Sequence, residues 1–282
     1  MNRTKVALAA IAAASLFAAC TSTRSDDAAV PTASPPGATS TIQPQTATPS
    51  TATPSTGKPG LQPVDPKRLA IGDNKYSSSA KVGSLMSCVT SFPSNAPGAQ
   101  VEGSWFNGDG TWDRTKKLAV LGQNYHPEAT FSVTVEGSTR VITTNDLPQP
   151  SIGYTGNFPI SPSDPAYQID RNPGTPRASL RTYRIPANPT VADKPTCTSL
   201  GAIGIVNDGV VLFNALDAGG RDAGAHEVLD SCGGHPARTE YHHHDLATCL
   251  KDDKDASGHS KLMGYAVDGF GLFGKYGEGG VE

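Results

Sequence analysis

The stretch AIGIVNDGVVLFNAL, Ala202–Leu216, constrains the fold more than any other. Two apolar runs flank Asn207-Asp208-Gly209, residues that tolerate the positive φ of a tight turn, so the segment folds back on itself as a hairpin. A second hairpin is expected upstream. In ATFSVTVEG, Ala129–Gly137, the residues Phe131, Val133 and Val135 alternate with Ser132, Thr134 and Glu136. That is the two-residue period of a half-buried strand, and TRVITT, Thr139–Thr144, follows as its partner. Composition carries the argument to the rest of the chain: 30 glycines and 23 prolines in 282 residues leave little room for long helices. Asp146–Pro195 is proline-rich and is expected to be loop and edge structure. One helix is predicted in DAGGRDAGAHEVLD, Asp217–Asp230, against the opposition of its glycines. The expected fold is mainly β, an antiparallel sandwich or irregular barrel with long loops and at most one or two short helices.

The N-terminus is an address rather than part of that fold. Arg3 and Lys5 precede an apolar run, Val6–Ala19, that is too short and too rich in small residues for a transmembrane span. Ala18 and Ala19 before Cys20 resemble the lipobox of bacterial lipoproteins, with Phe17 where leucine is usual. The resemblance implies a signal peptide over residues 1–19 and an acylated Cys20. The mature chain would then be anchored in the bacterial cell membrane, facing the periplasm or the exterior. The alternative is an ordinary secretory signal cleaved near the same place. Residues 20–60 hold almost nothing but Thr, Ser, Pro and Ala after Cys20, including the tandem TATPSTATPS. Such a segment has too little apolar surface to offset its conformational entropy and is expected to be a disordered tether, on the order of 100 Å long at full stretch. Residues 61–282 are long enough for one domain with its own core. A net charge of −3 with no basic patch argues against nucleic acid as a partner.

Beyond Cys20 the chain has Cys88, Cys197, Cys232 and Cys249. Export favours disulfides. Four cysteines allow three connectivities, of which Cys232–Cys249 with Cys88–Cys197 closes one small and one large loop. A rival use is a structural zinc site built from Cys232, Cys249, His235 and His244. Four of the seven histidines fall in DSCGGHPARTEYHHHDLATCL, Asp230–Leu250, between the last two cysteines. The other three are His126, beside Pro127 in a turn, His259, in the charged stretch KDDKDASGHS, and His226; the first two are expected to be solvated. NGDGTWD, Asn107–Asp113, is expected to be a tight β-turn rather than a calcium loop.

From Gly201 onward the sequence resembles the YHYH domain family of exported bacterial proteins. The resemblance rests on Cys232-Gly233-Gly234-His235, the tetrad Tyr241-His242-His243-His244 and the block Met263-Gly264-Tyr265 with Asp268-Gly269-Phe270. His243 replaces the second tyrosine of the tetrad, and Leu272-Phe273-Gly274 stands for Ile-Tyr-Gly. The match covers roughly the last 80 residues and brings no particular reaction with it.

If the tetrad is a strand, successive side chains alternate faces. His242 and His244 then share one face, Tyr241 and His243 the other. Two imidazoles at i and i+2 form a natural pair for a transition metal such as Cu or Zn. His235 is the expected third ligand. Asp268 is a candidate carboxylate ligand, and Asp230 and Glu227 are candidates for a ligand or, with Tyr241 and His226, for groups that orient the histidines. The competing reading is a buried hydrogen-bond network of histidines and tyrosines with no metal. Three functions remain open: a membrane-tethered metal-binding domain, a metal-dependent enzyme of unknown substrate, and a metal-free surface module for glycan or protein. No Gly-x-Ser-x-Gly or His-Glu-x-x-His motif supports a specific reaction.

Overall fold

The structure is a computed structural model and describes residues 64–281 except 173 and 246. These residues belong to a compact unit spanning Gly57–Glu282. The signal segment, Cys20 and the whole of the expected tether lie outside the described residues. In chain order the strands are Leu69–Ala70 (β1), Tyr76–Ser77 (β2), Leu85–Met86 (β3), Thr111–Trp112 (β4), Phe131–Glu136 (β5), Thr139–Thr144 (β6) and Arg181–Pro186 (β7). They continue with Ala202–Val206 (β8), Val211–Phe213 (β9), Gly234–Ala237 (β10), Glu240–His243 (β11), Leu262–Ala266 (β12) and Gly271–Phe273 (β13). One helical turn, Ala223–His226 (α1), is capped by Asp222, whose side chain accepts from Ala225 N. None of the described helices is long and apolar enough to cross a membrane.

The fold is mainly β. The central sheet runs β10-β11-β9-β8-β12-β13, a second runs β5-β6-β7, and no sheet among the described residues closes into a barrel. The β8–β9 hairpin turns on Gly209, at φ 89, with Val206 N donating to Val210 O at 2.8 Å. The sheet is not purely antiparallel, because β11 lies parallel to β9, with His242 opposite Val211. Parallel neighbours need a long crossover. Here the chain leaves β9, passes through α1 and returns through β10 before it can lay β11 down in the same direction.

Two apolar clusters hold the sheets. Ile142 and Ile185 of the small sheet pack with Ile205 and Val211 of the large one, the sandwich part of the molecule. Trp105, Trp112, Val120, Phe158, Val210 and Tyr241 belong to a second cluster, in which loop segments meet the β8–β9 turn and β11. The expected half-burial of β5 is not found. Phe131 is half-buried, but Val135 is 61% exposed, because β5 is the free edge of its sheet. Both expected disulfides form, Cys88–Cys197 with Cα atoms 5.0 Å apart and Cys232–Cys249 with Cα atoms 4.7 Å apart. The zinc site built on Cys232 and Cys249 is thereby excluded, since both sulfurs are consumed.

Candidate metal centre

Strand pairing brings the histidines together. β10 and β11 are antiparallel with His235 directly opposite His242, and cross-strand neighbours on one face stand within side-chain reach. His244 follows one pleat later on the same face. The Nε2 atoms of His235 and His242 are 3.1 Å apart, as are those of His242 and His244. Glu227, one residue past α1, completes the group: its Oε2 lies 2.9 Å from His235 Nε2 and 3.5 Å from His244 Nε2. Four donor atoms thus form a closed ring. An ion bonded at about 2.0–2.2 Å holds neighbouring ligand atoms about 3.0–3.5 Å apart.

The approach of β10 and β11 depends on two glycines. Gly233 sits at φ 77, a conformation that favours glycine. A Cβ on Gly234 would stand 2.5 Å from the Tyr241 ring. The segment Cys232-Gly233-Gly234-His235 therefore delivers His235 into register while leaving room for Tyr241.

The ring nitrogens are oriented before any ion arrives. His244 Nδ1 is 2.8 Å from Asn214 O, and His242 Nδ1 is 3.2 Å from Glu240 O. Carbonyl oxygens only accept, so both Nδ1 atoms donate and both Nε2 atoms carry bare lone pairs. Burial pulls the His244 pKa down to about 4, and burial with the neighbouring His235 and His244 charges holds His242 well below the usual imidazole range. Both rings are neutral at pH 7. Two bare lone pairs 3.1 Å apart repel unless a cation lies between them.

His235 differs. Asn172 Nδ2 donates to Pro236 O at 2.9 Å, while its Oδ1 accepts from Gly174 N at 2.8 Å, which fixes the amide. The second Nδ2 hydrogen faces His235 Nδ1 at 3.3 Å, placing the His235 proton on Nε2. Burial lowers the His235 pKa, but the Glu227 carboxylate outweighs it and the net direction is up. Burial raises Glu227, yet His235, His244 and Lys117 together hold it at about 2. Its Oε2 sits off the His235 N–H line and has no hydrogen-bond donor, although Glu227 is only 6% exposed.

The remaining candidates go elsewhere. Asp268 lies in the exposed β12–β13 turn and accepts from Phe270 N, so it is not a ligand; that turn belongs to the opposite edge of the central sheet. Tyr241 and His243 occupy the other face of β11, as alternation requires. Tyr241 donates to Asp230 at 2.8 Å, and His243 Nε2 pairs with Asp208 at 2.8 Å. Asp230 also accepts from the backbone N–H groups of Gly156, Cys232 and Gly234, so it locks loops rather than backing the triad. His226 turns to Asp73, 2.9 Å away. The other two histidines are half-buried: His126 is 3.7 Å from Glu128, and His259 Nδ1 is 2.7 Å from Ser260 O. Among the described residues, His235, His242 and His244 are the group of ligating side chains placed to hold an ion. Sequence reasoning missed Asn172 and Asn214, whose groups face the histidines from distant loops, and Asp208, which it took for a turn residue alone.

Glu227 and the triad lie in the wall of a cleft of about 1280 Å³, with Phe213 stacked on His242 at 3.9 Å. A β-sheet protein with a buried His/Glu cluster opening on a cleft is the class that fold and site define. Residues 182–281 match the family described as YHYH protein. The match starts within β7 and takes in the whole central sheet and all four ring residues. No curated protein and no solved structure matches the chain.

Proposed function

We propose that the chain is a membrane-tethered extracytoplasmic protein whose YHYH domain binds a transition metal, Cu or Zn, through His235, His242, His244 and Glu227. The observation that carries this reading is the pair of unprotonated Nε2 atoms on His242 and His244, oriented by backbone carbonyls and facing each other at 3.1 Å. A metal-free hydrogen-bond network would need a proton between them, and burial opposes that proton. Neutral imidazoles and one carboxylate suit both metals. Two disulfides fit an oxidising compartment, which supports export and, with the Cys20 lipobox, a lipid anchor.

The cleft favours a second reading, a metal-dependent enzyme. A metal bound there would polarise a water or a substrate oxygen. Glu227 would then serve as ligand or proton acceptor, and Asp268, the other carboxylate expected in that role, is too exposed and remote to share it. Titrating Zn²⁺ and Cu²⁺ into untagged protein tests the first reading. Wild type is expected to bind one ion with micromolar or tighter affinity, and His242→Ala and His244→Ala each to lose it while keeping the far-UV spectrum. Unfolding of both variants with no metal bound by wild type favours the network.

A further inference from the structure

The cleft that holds the histidines has a second, cationic wall. Segment 174–177 pairs with the β10–β11 turn: Thr175 N donates to Arg238 O at 2.7 Å and Arg177 N to Thr239 O at 3.0 Å. This pairing sets Arg177 and Arg238 along the same cleft as the triad. Neither guanidinium meets a carboxylate among the described residues. Arg171, also on the cleft, lies over the Tyr167 ring at 5.4 Å and meets no carboxylate among the described residues. The acidic groups there are engaged otherwise. Asp217 is held by Arg221 at 2.7 Å, Glu227 faces the histidines, and Asp170 accepts from Asn172 N at 3.0 Å. Arg177 and Arg238 therefore stand near each other on the cleft with no carboxylate on either guanidinium among the described residues. Phe213, Leu216 and Ile169 give the cleft an apolar stretch, beside polar Gln100 and Gln168. A concave apolar surface with a few convergent guanidinium groups suits a ligand with an apolar body and an anionic head, because planar guanidinium forks match carboxylate and phosphate oxygens.

We propose that the cleft binds an organic anion, a carboxylate or phosphate on an apolar body, with its head on Arg177 and Arg238. The proposal rests on the same cleft as the metal reading but not on the metal. The test uses untagged protein, calorimetry and four probes: 4-phenylbutyrate, phenyl phosphate and the neutral 4-phenylbutanol, each in EDTA, and Zn²⁺ alone. Arg177→Gln with Arg238→Asn keeps polar side chains on exposed positions, and asparagine tolerates φ 58 at residue 238. Wild type is expected to bind one of the two acids about tenfold more tightly than the alcohol, the worth of a charge-assisted hydrogen bond. The double variant is expected to lose that preference. Which acid binds more tightly identifies the head group. Equal binding of acid and alcohol, no binding of any organic probe, or a preference that survives the double variant would overturn the proposal. A wild type that fails to bind Zn²⁺ but prefers the acid sinks the metal reading and leaves this one standing.

Discussion

At the residue scale the site depends on which nitrogen carries a proton. His242 and His244 present lone pairs to the centre, while His235 presents a proton and is the ligand that would have to change state in the proposed metal complex. Its raised pKa gives a sign. Below the His235 titration an incoming ion must expel a proton, so affinity falls as pH drops and is flat once the ring is neutral. Calorimetry in buffers of different ionisation enthalpy is expected to show more protons released per ion at low pH than at high pH; release independent of pH would remove His235 from the centre. Glu227→Gln is expected to weaken the ion about 10- to 100-fold, read by competition with a chromophoric chelator. Tyr241→Phe acts on the opposite face. It removes a donor from Asp230 and is expected to lower stability by about 1–3 kcal/mol in urea melts while leaving metal affinity unchanged. Strand alternation made the His242/His244 pair legible, and the replacement of tyrosine by His243 fell on the far face as that alternation requires. Asn172 and Asn214 were not legible, because their contacts link positions far apart in the chain with no pattern between them.

At the element scale the β10–β11 hairpin and its disulfide hold the centre. Cys232–Cys249 closes a loop of 17 residues around all four ring-bearing positions of β10 and β11, whereas Cys88–Cys197 spans 109. Loop-closure entropy assigns about 3 kcal/mol to the first and about 4.7 kcal/mol to the second. Serine pairs at each are expected to lower stability in that order in denaturant melts. Only the 232/249 pair is expected to weaken metal binding as well; equal effects on metal would show that the small loop does not position the histidines. The hairpins β5–β6 and β8–β9 were readable from turn residues and period. The parallel pairing of β11 with β9 was not, because a crossover leaves no local signal, and the exposure of β5 depends on its place at a sheet edge, which periodicity does not report.

At the scale of the whole molecule, the two sheets are linked beside the site by a charge chain. Arg181 of β7 lies 3.2 Å from Asp146 and 3.3 Å from Glu240, the first residue of β11. Burial, then the Glu240 charge, raises the Asp146 pKa to about 6, because Arg181 offsets only part of the cost. A carboxyl with a raised folded pKa stabilises the fold below its unfolded value near 4, and that stability is lost as pH rises through about 6. The amount is on the order of 2–3 kcal/mol. Thermal melts of wild type are expected to fall between pH 4 and 6 relative to Asp146→Asn, and parallel curves would contradict the assignment. The central claim, a transition metal held by His235, His242, His244 and Glu227, is tested most directly by the metal content of untagged protein after equilibration with Zn²⁺ or Cu²⁺ and gel filtration. One ion per chain in wild type and none in the His242→Ala/His244→Ala double variant is the predicted result; a metal-free wild type, or the same content in both proteins, would contradict it.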